Sequence, residues 1–317
     1  MYLYNFIIKS FGRILYRGKL KFKINYYLKI LMHIFANQMH KVTLIISVYN
    51  KVKELELIFH ALSIQSFKDF EVIIAEDGMN EEMRSLTNKW KSSDNFPVKH
   101  LTQEDIGFRK NRILNGSIRN ASTDHLIFFD GDCIPHSDFV KAHFENRAEN
   151  TVLCGRRVNL TKKISEKITK ESILNKEYEK FKLSEVIYSS LNKGKNEFNF
   201  NIEEGIIIKN RSVRNIVTNQ DEHILGCNFS IPKELLIKIN GFDENYEGPG
   251  LGEDSDIEFR LRLINAKFIS VRNLAVQYHM YHPKTIEEEK NMEYFNEVKK
   301  KKEFFCRNGL EKINLIG

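Results

Sequence analysis

The sequence predicts an α/β fold built on a mostly parallel, doubly wound sheet. Four short apolar runs, suited to buried strands, occupy residues 42–48, 70–75, 97–101 and 126–129. Segments with helical spacing of apolar residues separate them, and strands that alternate with helices form parallel sheets through right-handed crossovers. Polar residues follow these strands. Such residues collect at the carboxyl edge of an open sheet, where ligands bind.

The fourth strand ends in Asp130-Gly131-Asp132. Two carboxylates separated by one small residue can point together towards a divalent cation that carries a diphosphate. Mg²⁺ and Mn²⁺ prefer such oxygen ligands and often share them with phosphates. An Asp-Gly-Asp by itself is more often a turn, but the buried strand before it favours a metal site.

Composition indicates a soluble globular protein of one or two domains. The 317 residues are 42% apolar and 29% charged, with a net charge of +7. Residues 1–53 hold 10 Lys and Arg and no acid, so the remainder has 49 − 10 = 39 bases against 42 acids, a charge of −3. The basic character therefore belongs to the N-terminal segment, and the chain lacks a nucleic-acid footprint spread over a fold.

The four cysteines, which are far apart and form no Cys-x-x-Cys, support neither a disulfide framework nor a zinc site. We therefore expect a cytoplasmic protein in a reducing compartment. Apolar runs in the sequence fall short of the ~20 residues that span a bilayer, and basic residues interrupt every candidate signal-peptide core.

Residues 1–40 are predicted to form a basic amphipathic extension. Apolar residues recur at helical spacing from Leu20 to Phe35, and lysines are interleaved with them. This pattern suits a helix on the anionic inner face of the cytoplasmic membrane, and it equally suits a helix packed on the protein's own surface. Both interpretations remain open.

The rest of the chain is predicted to form two halves and a tail. The first half covers residues 41–155 and the second 156–283, with a helical insertion near 160–224 that is rich in Lys, Glu and Asn. Residues 284–317 are predicted to form a helical tail on the surface, because acids precede bases along it.

The second half contains its own candidate site. A strand is expected at 226–228 and a helix at 232–239, followed by the glycine-rich loop Gly248-Pro249-Gly250-Leu251-Gly252. Glu253-Asp254 then opens a further helix. Acids at a helix start are commonly structural, but the glycine loop places this pair at an open edge.

These segments together resemble the family 2 glycosyltransferases of the GT-A fold. The closest resemblance is to the bacterial branch whose C-terminal part is like that of galactosyltransferases and chondroitin polymerases. It spans roughly residues 42–283, although Gly-Pro-Gly-Leu-Gly stands where Trp-Gly-Gly is usual, which leaves the sugars open. The segments that carry it are LIISVYNK (44–51), FEVIIAEDG (70–78), QEDIGFRKNRILN (103–115), LIFFDGDCIPH (126–136), GCNFS (226–230), GFDENYEGPGLGEDSDIEFRLR (241–262) and YHMYHP (278–283).

The resemblance implies that the first half binds a UDP-sugar. Asp77 would accept hydrogen bonds from the uracil edge, with Glu76 beside it. Ser47, Val48 and Tyr49 would line the nucleotide.

The resemblance also implies a diphosphate and metal site. Arg109 and Arg112 would face the diphosphate, although ordinary solvated helix charge is their simpler interpretation. Asp130 would bind ribose and support the metal, and Asp132 would ligate Mn²⁺ or Mg²⁺ directly.

A histidine completes the metal site in this branch. His279 is the predicted ligand, and His282 is the alternative as a ligand or as a loop residue.

For the second half, the resemblance implies acceptor binding and catalysis. Asp254 would be the general base in a displacement that inverts the anomeric carbon, and Glu253 would hold acceptor hydroxyls. The acceptor would be a growing surface glycan, free or lipid-linked, such as a capsule or lipopolysaccharide.

Two alternatives to a glycosyltransferase remain open, and a third class of protein is excluded. A haloacid-dehalogenase-type phosphatase also places Asp-x-Asp after an apolar strand, but here Cys133-Ile134-Pro135 follows and three strands precede. A non-catalytic membrane-surface scaffold is the other alternative. A dinucleotide oxidoreductase is excluded, because Tyr49-Asn50-Lys51 stands where a Gly-x-Gly-x-x-Gly is needed.

Overall fold

The structure, a computed structural model, describes residues 40–181, 201–250, 252–283 and 289–312. Except for His40, the predicted basic extension over residues 1–40 lies outside the described residues. Residues 41–317 group by themselves as one compact unit. No helix in the described part of the chain is both long enough and apolar enough to cross a bilayer.

A seven-stranded mixed sheet forms the centre of this unit. The seven strands are β1 (Val42–Val48), β2 (Phe70–Glu76), β3 (Val98–Thr102), β4 (His125–Asp130), β6 (Thr151–Cys154), β8 (Asn228–Pro232) and β9 (Lys267–Ser270). Their order in the sheet is β3-β2-β1-β4-β8-β6-β9, and β8 alone runs antiparallel to its neighbours β4 and β6. The prediction of a mostly parallel, doubly wound α/β sheet is therefore confirmed.

A second sheet of three short strands lies beside the end of β4. These strands are β5 (Cys133–Pro135), β7 (Val158–Asn159) and β10 (Gln277–His279), in the order β5-β10-β7. In this register His279 lies opposite Cys133 on β5 and Asn159 on β7. The small sheet therefore brings the late His279 next to the Asp-Gly-Asp turn.

Helices cover both faces of the large sheet, because alternate residues of its strands are apolar on both sides. Leu44 and Ile46 of β1 face one apolar cluster, whereas Ile45 faces the other, and all three are fully buried. The α-helices of the described residues are α1 (Val52–Ser63), α2 (Glu81–Lys91), α3 (Lys110–Asn120), α4 (Phe139–Asn146), α5 (Lys162–Ser165), α6 (Lys170–Leu174), α7 (Arg211–Val217), α8 (Lys233–Lys238), α9 (Asp254–Leu263) and α10 (Glu289–Lys301).

Several helices and strands begin or end at residues other than the predicted ones. The helix expected from Gly107 begins at Lys110, because Gly107 has a φ of +94° and Arg109 is still outside the helix with a φ of −135°. The strand expected at 226–228 lies at Asn228–Pro232, since the Gly226 N–H is bonded to the Asp254 carboxylate. Pro232 ends this strand and is the N-cap of the next helix, which begins at Lys233.

The described part of the predicted insertion contains short helices only. These are α5, α6, α7 and two 3₁₀ turns at Glu177–Glu179 and Ile202–Gly205. In the tail, α10 contacts the rest of the unit through the Tyr294 hydroxyl, which donates to Asp243 Oδ2 across 2.8 Å.

Candidate active site

One cleft of about 1030 Å³ opens at the carboxyl ends of β1, β2 and β4. Parallel pairing of β1 with β4 sets Ser47 opposite Asp130. The end of β10 and the start of α9 also border this cleft, so residues from both halves of the chain meet there.

Asp130 is held at the centre of the cleft by two donors. The Ser47 hydroxyl donates to Asp130 Oδ1 across 2.6 Å, and Lys110 Nζ lies 2.7 Å from the same oxygen. Gly131 permits the tight turn between the two aspartates, because a Cβ there would lie 2.6 Å from Val48 Cγ2. The turn therefore presents both carboxylates to the cleft.

Asp132, His279 and His282 form a compact group of candidate metal ligands. One ligand atom from each residue lies within 4.8 Å of the other two. His282 Nε2 is 3.3 Å from Asp132 Oδ2, and His279 Nε2 is 3.7 Å from Asp132 Oδ1. One carboxylate and two imidazoles are a donor set that suits Mn²⁺, so these residues fit the implied divalent cation.

The electrostatics of this group favour metal ligation. Burial lowers the pKa of His279 to about 4, so its imidazole is neutral and has a lone pair to donate. Burial raises the pKa of Asp132, but the hydrogen bond from His282 and the nearby His279 and Lys51 outweigh it and keep that pKa well below its usual range. Lys51 Nζ lies 3.3 Å from Asp132 Oδ2.

Helix α9 presents two further carboxylates at its start. Asp254 Oδ2 accepts the Gly226 N–H across 3.1 Å, and its Oδ1 accepts the Ser255 N–H across 2.8 Å. These bonds fix the carboxylate at the helix N-terminus, where a negative charge is favoured. Glu253 Oε1 lies 2.9 Å from Lys110 Nζ. Burial raises the pKa of Glu253 to about 7, and Lys110 opposes that rise.

Of the two residues predicted to bind uracil, Asp77 lies in the cleft and Glu76 does not. Asp77 lines the cleft, and its carboxylate accepts hydrogen bonds from Gln103 Nε2 and from the Arg109 N–H at 2.5 and 2.6 Å. Glu76 is only 1% exposed and lies outside the described cleft lining. Its carboxylate instead lies 2.6 Å from the Asn80 N–H and 2.6 Å from His100 Nε2.

Tyr49 and the predicted arginines occupy the rim and the surface. The Tyr49 ring is half exposed and lines the cleft, and its hydroxyl donates to Asp105 Oδ2 across 3.1 Å. The Arg109 guanidinium donates to the Glu104 carbonyl, and Arg112 is exposed on α3. Neither arginine belongs to the described lining of the cleft.

Three cations in the cleft, Lys51, Lys110 and Arg157, were missed by sequence reasoning. Lys110 lies three and four residues before the inward-facing Ile113 and Leu114, so the helical phase already pointed it towards the site. Arg157 also lines the cleft, with Nη1 3.8 Å from Cys227 Sγ. Arg157 precedes a two-residue strand, and no sequence pattern marked it. Both cysteines near the site, Cys133 and Cys227, are buried free thiols.

This cleft and sheet define a glycosyltransferase of the GT-A fold, and comparison with known families agrees. Residues 43–217, more than half of the chain, match the family described as Glycosyl transferase family 2. Residues 216–283 match the family described as N-terminal domain of galactosyltransferase. The chain therefore belongs to glycosyl transferase family 2, and this membership excludes the phosphatase alternative.

The relatives in this family are larger proteins. The chain is 27% identical over 248 residues to a chondroitin synthase from Escherichia coli, covering 76% of this chain and 35% of the relative. It is 25% identical to a chondroitin synthase from Pasteurella multocida strain Pm70, covering 76% and 25%. The chain thus spans about a third or less of the length of these relatives.

One solved structure shows the same fold. It is the mannosyltransferase PcManGT from Pyrobaculum calidifontis, in complex with GDP-Man and Mn²⁺. The TM-score is 0.50 at 14% sequence identity, over 78% of this chain and 59% of that chain.

Proposed function

We propose that the protein is an inverting, metal-dependent glycosyltransferase that moves a sugar from a UDP-sugar to a hydroxyl of a growing surface glycan. The observation that carries the proposal is one cleft that holds both the Asp132, His279 and His282 group and the paired carboxylates Glu253 and Asp254. Such a cleft has groups for a diphosphate leaving group and for an attacking hydroxyl, the two ends of a displacement reaction.

The donor end would bind the nucleotide through Asp77, Ser47 and Tyr49. The Asp77 carboxylate lines the cleft and is an acceptor suited to an N–H of a uracil edge. Tyr49 offers an exposed ring at the rim, on which a base can pack. Asp130 would accept hydrogen bonds from the ribose.

Asp132, His279 and His282 would hold Mn²⁺ or Mg²⁺, with Asp130 supporting them. When bound, the cation supplies positive charge that stabilises the UDP leaving group. Lys51 and Lys110 add positive charge at this place, because Lys51 Nζ lies beside Asp132, Lys110 Nζ lies beside Asp130, and both residues line the cleft. The predicted diphosphate role of Arg109 and Arg112 is less well supported, since both lie outside the described cleft lining.

The acceptor end would use α9. The Asp254 carboxylate takes the proton of the acceptor hydroxyl, the acceptor oxygen bonds to the anomeric carbon, and the bond from that carbon to the UDP oxygen breaks with its electron pair. Attack from the face opposite to UDP inverts the configuration. Asp254 is oriented for this role by the N–H groups of Gly226 and Ser255. Glu253 would accept hydrogen bonds from other acceptor hydroxyls.

The proposed acceptor is a surface glycan such as a capsule or lipopolysaccharide chain, in free or lipid-linked form. Two observations support it: the similarity to chondroitin synthases and the basic N-terminal segment. Lipid-linked glycans are assembled at a membrane face, so a peripheral position on the inner face of the cytoplasmic membrane would bring enzyme and acceptor together.

A donor screen tests the proposal. The full-length protein is incubated with UDP-Gal, UDP-GalNAc, UDP-Glc, UDP-GlcNAc or UDP-GlcA and with glycan acceptors, with and without Mn²⁺, and UDP release is measured. We expect metal-dependent release of UDP with at least one donor. NMR of the product should show that the new glycosidic linkage has the inverted anomeric configuration. Metal-independent release, or a retained configuration, contradicts the proposal.

A further inference from the structure

A second, smaller groove of about 370 Å³ adjoins the active-site cleft. It shares Asp254 and Ser255 with that cleft. Its remaining walls come from the loop before β8, from α9 and from α10. Because the proposed base borders both depressions, a chain-like ligand with one hydroxyl at Asp254 can continue into this groove.

One wall of the groove is polar and fixed by hydrogen bonds. The Glu258 carboxylate accepts the Ile224 N–H across 2.7 Å and lies 2.7 Å from His223 Nδ1. Arg262 Nε donates to the same carboxylate across 2.8 Å. The loop and the helix are thus tied together, so polar groups are held in place before a ligand arrives.

Two aromatic rings also line the groove. Phe259 on α9 and Phe295 on α10 meet edge to face, with ring centroids 6.1 Å apart, and both rings are partly exposed. A pyranose ring has C–H faces that pack on aromatic rings and hydroxyls that bond to polar groups, so a groove lined by both aromatic and polar side chains matches its chemistry. Helix α10 lies beyond residues 43–217 and 216–283, so Phe295 comes from a segment outside the two family matches.

We infer that this groove is an acceptor subsite. It holds the sugar unit that follows the one whose hydroxyl lies at Asp254, and Phe295 is its stacking platform. The inference rests on the proposed function and adds that the acceptor is a saccharide of at least two units. Binding should therefore strengthen from a single terminal sugar to the corresponding disaccharide, and this gain should depend on Phe295.

Direct binding tests the subsite without relying on turnover. Full-length protein is applied to an array of immobilised bacterial-type glycans from mono- to hexasaccharides, and the best-bound glycan and its terminal monosaccharide are then titrated by calorimetry. Phe295→Ala should lower affinity for the longer glycan about tenfold, the loss of one stacking contact. Affinity for the monosaccharide should stay unchanged, and Phe295→Tyr should keep the wild-type gain.

Phe304→Ala is the matched control, because Phe304 follows α10, is 46% exposed and lies outside the described lining of the groove. It should bind as wild type does. Equal affinity of wild type for short and long glycans overturns the inference, as does an equal loss for both in Phe295→Ala. Length-dependent binding through Phe295 without turnover of any UDP-sugar would contradict the proposed function and leave the subsite standing.

Discussion

Lys110 Nζ lies 2.7 Å from Asp130 Oδ1, and this single cation connects the donor side of the cleft with its acceptor side. The same nitrogen lies 2.9 Å from Glu253 Oε1. Asp130 ends β4 in the first half of the chain, whereas Glu253 precedes α9 in the second. The charge state of one side of the site is therefore coupled to that of the other through Lys110.

Lys110→Met should shift the pH dependence of acceptor binding. Burial raises the pKa of Glu253 to about 7, and the positive charge of Lys110 holds it from rising further. Without that charge the pKa of Glu253 rises, so a larger fraction of Glu253 is protonated at neutral pH. A protonated carboxyl is a weaker acceptor, so the acceptor KM should increase as pH falls, beginning at a higher pH than in wild type.

Lys110→Arg is the control for this experiment, because it keeps the positive charge. The acceptor KM is measured from pH 6 to 9 for all three proteins. Superimposable profiles for wild type and Lys110→Met would show that Lys110 does not set the ionisation of Glu253.

Substitutions of Asp132, His279 and His282 should weaken metal binding to different degrees. Asp132→Ala should abolish Mn²⁺-dependent UDP binding, because it removes the only carboxylate of the group. His279→Ala and His282→Ala should each weaken Mn²⁺ affinity by roughly 10-fold or more, because even losing a hydrogen-bond partner of a metal ligand costs about 10–100-fold. Calorimetric titration of Mn²⁺ and UDP measures both effects.

The two histidine variants also distinguish the alternatives left open by the sequence. His282 Nε2 lies 3.2 Å from His279 Nε2, so the structure brings both rings to Asp132. If His282→Ala keeps wild-type Mn²⁺ affinity, His282 is a loop residue and His279 acts without it. His223→Ala, on an exposed histidine outside the group, should leave Mn²⁺ affinity unchanged.

Asp254→Asn should reduce kcat by ~100-fold or more with little change in donor affinity, because the amide keeps the size of the side chain but cannot take a proton. Turnover and UDP affinity are measured on the same preparation. Near-normal turnover would transfer the base role to Glu253. Asp256 is an unsuitable alternative, since it is 1% exposed and paired with Arg260.

Two buried histidines predict a loss of stability in mild acid. Burial is the main reason why the pKa of His125 falls to about 3 and that of His143 to about 4. Both rings are within hydrogen-bond distance of the Ser230 hydroxyl, at 3.0 and 2.9 Å. In the unfolded chain a histidine titrates near pH 6.5, so the neutral forms favour folding above that pH and the advantage is lost as pH falls.

Urea unfolding at pH 7 and pH 5 measures this loss. For each histidine, the free energy of unfolding should fall by about 2 kcal/mol as the pH is lowered from 6.5 to 5. Substituting both by Gln should flatten the pH dependence, whereas His223→Gln, on the surface, should leave it unchanged. An equal decrease in the double variant would assign the acid sensitivity to other groups.

The parts of this structure that follow local patterns were predictable. The apolar runs gave β1, β2 and β4 almost to the residue, and the Asp-Gly-Asp turn followed from the strand before it. The residues that were missed depend on contacts between distant segments. Lys110 is distinguished from Arg109 and Arg112 only by its position around the helix. Arg157 can be recognised as a cleft residue only once the position of the small sheet is known. The sequence offered His279 and His282 as alternative ligands. Both lie beside Asp132, because His279 ends β10 and His282 follows three residues later, and spacing alone could not establish this.

Deleting residues 1–36 tests the membrane interpretation of the N-terminal segment. Those residues lie outside the described part of the chain, so the argument rests on the sequence, in which ten cations and no acid precede Glu54. A lysine near an anionic surface contributes only ~1 kcal/mol, so binding should need both the charges and the apolar stripe. Full-length protein should sediment with anionic liposomes at low salt, and the deletion should not. The deletion should keep activity on a soluble acceptor, because residues 41–317 form a compact unit by themselves. Full-length protein that stays in solution with the liposomes, or a deletion that unfolds the unit, would instead identify the segment as packing surface.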